Sequence, residues 1–333
     1  MKTSTISTLM IAGLVTATAA VAADKPVFTV YTYDSFASEW GPGPAAEKGF
    51  EASCGCDLQF VTAGDGAALL SRLLMEGRHS KADVVIGLDM NLMAQATESG
   101  LFASHGLGEV KYNLPIGWDD PVFVPFDWGY FAFVYDKTRV GDVPADFRAL
   151  AASPLKILIE DPRSSTPGLG LLLWVKAAYG DGAAQVWKDL SDNIVTVTPG
   201  WSEAYGLFLK GEADMVLSYT TSPAYHLIVE KDDSKAAAPF TEGHYLQVEV
   251  AAKVASTRQD DLADRFLAYV TSPEFQAAIP ETNWMYPAIT PAAGLPAGFE
   301  TLISPAKALV FPAAEARQIR DGGLREWLTA LGR

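Results

Sequence analysis

Apolar residues in the first third of the chain fall into short runs that alternate between two spacings. Val27-Phe28-Thr29-Val30-Tyr31-Thr32-Tyr33 is rich in β-branched and aromatic residues and is stopped by Asp34-Ser35, so it predicts a first strand. A loop with Trp40-Gly41-Pro42-Gly43-Pro44 leads to a helix through Phe50, and residues 58–62 predict a second strand. Asp65-Gly66 opens the next helix, in which Leu69, Leu70, Leu73 and Leu74 recur at helical spacing. Residues 82–88 then give a short apolar strand. Strand and helix alternating at this pace imply βαβ units and a parallel sheet.

After Trp118 the pattern changes. Residues 122–136 form an extended run too long for one ordinary strand, with Pro125 and Gly129 placed to bend it. It predicts a strand that leaves one half of the molecule and enters the other. The second half is again α/β, with strands at 156–159 and 194–197 and a helix from near Ser202 to Lys210-Gly211. A strand at 213–219 follows, with Thr220-Thr221-Ser222-Pro223 at its end. Residues 245–252 predict a second extended crossing, and helices are expected at 262–270, 274–279 and 315–331. Two crossings imply two discontinuous lobes, residues 24–127 with 247–283 and residues 128–246 with 284–333.

The 333 residues are enough for two ordinary domains, and 49% hydrophobic content is ample for packed cores. Residues 1–23 run from Lys2 through Leu9-Met10-Ile11-Ala12-Gly13-Leu14-Val15 to Ala20-Val21-Ala22-Ala23, the order of a secretory leader cleaved near Ala22 or Ala23. The mature chain is therefore expected in the periplasm. Losing Lys2 with the leader takes the formal charge from −15 to −16, which disfavours nucleic acid and tolerates a cationic small molecule. Cys54 and Cys56 are the two cysteines. Export favours a local disulfide over free thiols, although the ring is small, and two thiols with no nearby histidine cannot complete a zinc shell. The four histidines are scattered, and no metal is expected.

Candidate chemistry centres on Asp161-Pro162-Arg163-Ser164-Ser165-Thr166-Pro167-Gly168-Leu169-Gly170, which sets three hydroxyls and a guanidinium just ahead of an apolar helix. Thr166 is the expected N-cap and Pro167 a first-turn residue, leaving backbone N–H groups for an anion or polar ligand group. A capped helix that binds nothing reads the same residues equally well, and Arg163 can be a structural partner of Asp161. What favours binding is position: in open α/β sheets ligands lie beyond the carboxyl ends of strands. Tyr33, Asp65 with Gly66, Leu88 with Asp89, the 164–168 loop, Gly200-Trp201 and Tyr219-Thr220 all fall there.

These residues resemble the periplasmic solute-binding proteins of ABC importers, in particular the branch that takes up thiamine. The resemblance is carried by Thr29-Val30-Tyr31-Thr32-Tyr33-Asp34-Ser35-Phe36, Trp40-Gly41-Pro42-Gly43-Pro44, Ser80-Lys81-Ala82-Asp83-Val84-Val85, Asp161-Pro162-Arg163 with Ser165-Thr166-Pro167-Gly168-Leu169-Gly170, Gly200-Trp201-Ser202-Glu203-Ala204-Tyr205-Gly206, Leu217-Ser218-Tyr219-Thr220-Thr221-Ser222-Pro223-Ala224-Tyr225-His226 and Asn283-Trp284-Met285-Tyr286-Pro287. It spans nearly the whole mature chain and departs mostly at 104–112 and 232–238. It implies a bilobed, type II binding-protein fold whose cleft closes on thiamine or its phosphate esters, without cofactor or catalysis. The monomer would deliver that ligand to an inner-membrane permease and its ATPase. It places ligand contacts on Asp65, Gly66, Ser165, Thr166, Trp201 and Tyr219-Thr220-Thr221-Ser222, with Tyr33 and Trp40 in the same neighbourhood. Tyr33, Trp201 and Tyr219 are then candidate faces for the thiazolium cation, and Ser165 and Thr166 holders of its hydroxyl or phosphate end. Asp127-Trp128, Trp284 and Tyr286 are weaker candidates for ligand contact. Two rivals share the architecture: a thiamine-modifying enzyme, and a ferric-iron carrier. The cysteines lie at the wrong end of a strand for the first, and the tyrosines are not paired for the second.

Overall fold

In the computed structural model, which describes residues 25–332, two long antiparallel strands occupy the middle of one continuous sheet. The leader lies outside the described residues. The chain begins with β1 (Val27–Thr32), α1 (Gly43–Cys54), β2 (Asp57–Thr62), α2 (Gly66–Glu76), β3 (Val84–Asp89), α3 (Met93–Glu98) and β4 (Phe102–Ala103). The first long strand is β5 (Phe123–Asp136). It leads to α4 (Phe147–Ala152), β6 (Ile157–Glu160), α5 (Thr166–Tyr179), α6 (Ala183–Leu190), β7 (Ile194–Thr198), α7 (Trp201–Leu209), β8 (Met215–Tyr219), α8 (Pro223–Tyr225) and β9 (Lys235–Ala237). The second long strand, β10 (His244–Val254), precedes α9 (Asp260–Val270), α10 (Pro273–Thr282), β11 (Tyr286–Pro287), β12 (Ala308–Leu309) and α11 (Ala313–Ala330).

Strand order is β2-β1-β3-β10-β5-β8-β6-β7. β1, β2 and β3 are parallel, as are β6, β7 and β8, while β10 and β5 run against their neighbours. Both parallel sets therefore aim their carboxyl ends at the middle of the long pair. Asp89 at the end of β3 stands opposite Glu249, Glu249 opposite Asp127, and Tyr219 at the end of β8 opposite Phe131. The bend expected at Pro125 is a register shift: Glu249 pairs Asp127 but Val250 pairs Pro125, so Phe126 is the additional residue. Proline cannot donate to a ladder, which makes this the natural place for a bulge.

Helix α5 is buried from Thr166 through Val175, because it lies between the sheet and helices α6 and α11. Its composition is accordingly apolar all round rather than striped. Trp174 anchors it, donating from Nε1 to the Gly243 carbonyl at 2.9 Å and packing edge-on against Phe147 at 4.8 Å. Helices α3, α4 and α6 were not foreseen. Two of them are only six residues long, and α4 is recognisable mainly by its cap, Asp146, whose side chain accepts from the Ala149 N–H at 2.7 Å. Cys54 and Cys56 form the local disulfide, with Gly55 between them in the left-handed region at φ 69°.

Where α5 crosses β5, Gly170 permits the approach: a Cβ there would lie 2.0 Å from the Phe131 ring. Gly170→Ala is expected to destabilise the fold by about 1–3 kcal/mol through overpacking, read as a lower urea midpoint at unchanged slope. An unchanged midpoint would contradict this packing.

Candidate functional site

The loop after β2 ends at Asp65, and three helices begin around its carboxylate. Asp65 caps α2, accepting from the Gly66 N–H at 2.7 Å. It also accepts from Ser165 Oγ at 2.9 Å, from the Thr166 N–H at 3.4 Å and from the Trp201 N–H at 3.3 Å. The last three belong to the starts of α5 and α7 on the far side of the cleft, so one acidic group joins the halves. Helix N-termini carry partial positive charge, and each stabilises an anion placed on it. Burial raises the Asp65 carboxyl above its usual range, while these hydrogen bonds pull it back down.

The cap of α5 is a correction. Ser165, not Thr166, is the N-cap, its Oγ accepting from Gly168 N–H at 3.3 Å, and α5 starts at Thr166. Helix α7 likewise starts at Trp201 rather than Ser202. The shift frees Thr166 Oγ1, which is buried without a hydrogen-bond partner. Gly66 fits closely beneath it: a Cβ on Gly66 would lie 2.2 Å from Thr166 Oγ1. Arg163 is exposed and held by Asp161 at 2.5 Å, the structural pairing that the sequence left open.

Aromatic residues line the next part of the cleft. Trp201 stacks on Tyr205 at 5.0 Å and donates from Nε1 to Ser218 Oγ at 2.7 Å. Trp40, 53% exposed, stands 6.2 Å from Trp201 across the rim. Tyr33 lies flat against Gly87, where a Cβ would come within 2.2 Å of the ring. Of the residues after β8, Ser222 bonds Ser218 and the Tyr219 N–H, and Thr221 Oγ1 donates to the Met285 sulfur. These two order the loop. Thr220 Oγ1 is buried with no partner.

At the far end, the two long strands contribute acids. Tyr33 donates to Glu249 at 2.9 Å, and Asn283 Nδ2 donates to Asp127 Oδ2 at 2.5 Å. Asp127 Oδ1 and both amide atoms of Gln247 are fully buried and unpartnered, as are both carboxyl oxygens of Glu160 at the end of β6. None of Asp65, Asp89, Asp127, Glu160 and Glu249 makes an ion pair among the described residues; Arg320 acts on Asp89 at a distance. Burial pushes Asp89 and Asp127 up to about 7 and holds Glu160 and Glu249 well above the carboxylate range. The Tyr219 phenol is raised by burial and then by Glu249, Asp65 and Asp127, so it stands between the two acidic ends. Nearby, Trp284 adopts a left-handed φ of 55° and meets Tyr225 edge-on at 5.4 Å, while Tyr286 stacks on Trp128 at 4.6 Å.

Glu249, Gln247 and Asn283 were not singled out from sequence, although Gln247 and Glu249 alternate with apolar residues in a strand that is buried throughout. Buried polar positions of that kind were the available signal.

Residues 79–314 match the family model of the bacterial extracellular solute-binding proteins. The chain belongs to that family. Among its relatives, the thiamine-binding periplasmic protein of Escherichia coli strain K12 is 56% identical over 93% of this chain and 94% of its own. That of Brucella abortus is 50% identical over 99% of this chain and 98% of its own. A solved periplasmic thiamin binding protein superimposes with a TM-score of 0.90 at 56% identity, covering 93% of this chain and 97% of that one. The fold is the type II periplasmic binding-protein fold, with the cleft at the strand ends. Among the described residues no group of three or more His, Cys, Asp or Glu side chains is placed to hold a metal ion.

The raised carboxyls predict a pH dependence. Asp89 and Asp127 at about 7 retain in the folded state protons that the unfolded chain releases. Their contribution to stability is present below roughly pH 4 and is lost as pH rises towards about 7. Asp136, lowered to about 2 by Thr138 and Lys235, acts only below that window. Ligand-free protein should melt at a lower temperature at about pH 8 than at about pH 5, and the difference should shrink in Asp89→Asn/Asp127→Asn. A higher melting temperature at the alkaline pH would contradict the assignment.

Proposed function

We propose that the protein is the periplasmic carrier of an ABC importer, closing on thiamine and presenting it to a membrane permease and its ATPase. The observation that carries this reading is a set of buried carboxyl groups at the strand ends, Asp65, Asp89, Asp127, Glu160 and Glu249, none of them in an ion pair among the described residues, with tyrosine and tryptophan faces between them. Such a setting favours a flat cation. Thiamine has a permanently charged thiazolium, a planar aminopyrimidine and a hydroxyl arm, and each has a counterpart here. Tyr33, Trp201 and Tyr219 supply electron-rich faces. Asp65, Ser165 and Thr166, joined by hydrogen bonds, offer polar groups suited to the hydroxyl arm.

The same end accommodates a phosphate ester if Asp65 withdraws, because the N–H groups it now engages belong to the starts of α5 and α7. The ligand leaves unchanged: the cysteines are joined in a disulfide at the carboxyl end of α1, so neither is a free nucleophile. A leader removed near Ala22 or Ala23 accounts for export. Partnership with a permease follows from this reading, and the carrier acts as a monomer.

Isothermal calorimetry with thiamine tests the proposal. Wild-type protein is expected to bind one equivalent, and Tyr219→Ala and Trp201→Ala each to lose about 1–3 kcal/mol of binding free energy with the fold retained. Unchanged affinity in both variants, or no binding by the wild type, would refute it.

A further inference from the structure

Several polar atoms beyond the tyrosine faces remain unmatched, and their arrangement is specific. On β10, Gln247 and Glu249 share a face; their partners on β5 are Gly129 and Asp127. Tyr33 and Asn283 engage Glu249 Oε2, and Asn283 engages Asp127 Oδ2. What lacks a well-formed hydrogen bond is Asp127 Oδ1, an acceptor, and the Gln247 amide, a donor and an acceptor that faces the Tyr219 phenol, all within fully buried side chains. Both residues act on the Tyr219 phenol, and Tyr219 and Met285 close over Gly129 between them, where a Cβ would lie 2.7 Å from Met285 Cε. The unmatched atoms thus lie on one face of the long strand pair, around Gly129 and beside Tyr219. Buried polar groups are rarely left unpaired, and where they are a partner is implied.

We infer that Asp127 and Gln247 are the specificity-determining pair for the ligand's aminopyrimidine, Asp127 Oδ1 accepting from its exocyclic amine and the Gln247 amide donating to a ring nitrogen. The inference rests on the thiamine reading above and assigns the ring end of that ligand. An exocyclic amine beside an acceptor nitrogen presents a donor next to an acceptor, the complement of a carboxylate beside an amide N–H. Glu249 is a positioning residue here. Held by Tyr33 and Asn283 and in hydrogen-bond contact with the Asp127 carboxyl, it fixes the Asp127 side chain. Sites built to pair a donor discriminate strongly against analogues that lack it, because their own buried groups are then left unpaired.

The test compares thiamine with the analogue in which oxygen replaces the exocyclic amine, by calorimetry on wild type, Asp127→Asn and Gln247→Leu. Wild type should prefer thiamine by at least about tenfold, and Asp127→Asn should lower that preference by at least about tenfold. Gln247→Leu should weaken thiamine by a similar factor. The preference is a ratio measured on one sample, so a partly unfolded variant does not disguise it. A preference unchanged in Asp127→Asn, with thiamine still bound, overturns this assignment alone. Wild type that binds neither compound overturns the thiamine reading as well.

Discussion

Carboxyl groups withdrawn from water without a cation beside them are the constraint around which this molecule is arranged. An isolated buried carboxylate is disfavoured by desolvation, and the protein answers by raising proton affinities and by surrounding the groups with donors. Tyr33 and Asn283 serve Glu249 and Asp127 at one end. Three helix starts serve Asp65 at the other. The Tyr219 ring stands between those ends, under the influence of Glu249, Asp65 and Asp127, and a positively charged ring is the partner that such a setting favours.

Topology makes the arrangement possible. Because β10 runs antiparallel to β3, β5 to β8, and the two to each other, the parallel sets point in opposite directions and their carboxyl ends face the same stretch of the long pair. Residues remote in sequence then meet: Asp65 with Ser165 and Trp201, Tyr33 with Asn283. The Asp65 contacts are hydrogen bonds across the cleft rather than packed apolar surface. Hydrogen bonds of this kind can be exchanged for hydrogen bonds to a ligand.

Much of this was legible in the chain. Strands ending in Tyr33, in Tyr219 and just before Asp65 and Trp201 follow from β-rich runs stopped by turn residues, and the rule that ligands gather at such ends singled out Asp65, Ser165 and Trp201, which the structure brings together. The hydroxyl loop at 164–168 was recognisable from its composition, but the choice between Ser165 and Thr166 as cap depends on where the chain turns, a matter of one residue that composition does not resolve. Thr221 and Ser222 carried the right chemistry, yet their hydroxyls bond Met285 and Ser218. The acids on the long strands were less accessible. Gln247 and Glu249 alternate with apolar residues as they would on any half-exposed strand, and nothing local reveals that both faces of β10 are covered. Asn283 matters through partners 156 and 250 positions away, a relation that periodicity cannot carry.

The central claim is that the cleft is built for a positive charge. Its most direct measurement is the affinity of ligand-free protein for thiamine set against an isosteric analogue whose charged ring nitrogen is replaced by carbon, with shape and all other groups retained. The neutral isostere is expected to bind at least about tenfold more weakly, the loss that follows when a desolvated cation is removed from aromatic faces and carboxyl groups. Equal affinity for the two compounds would contradict it.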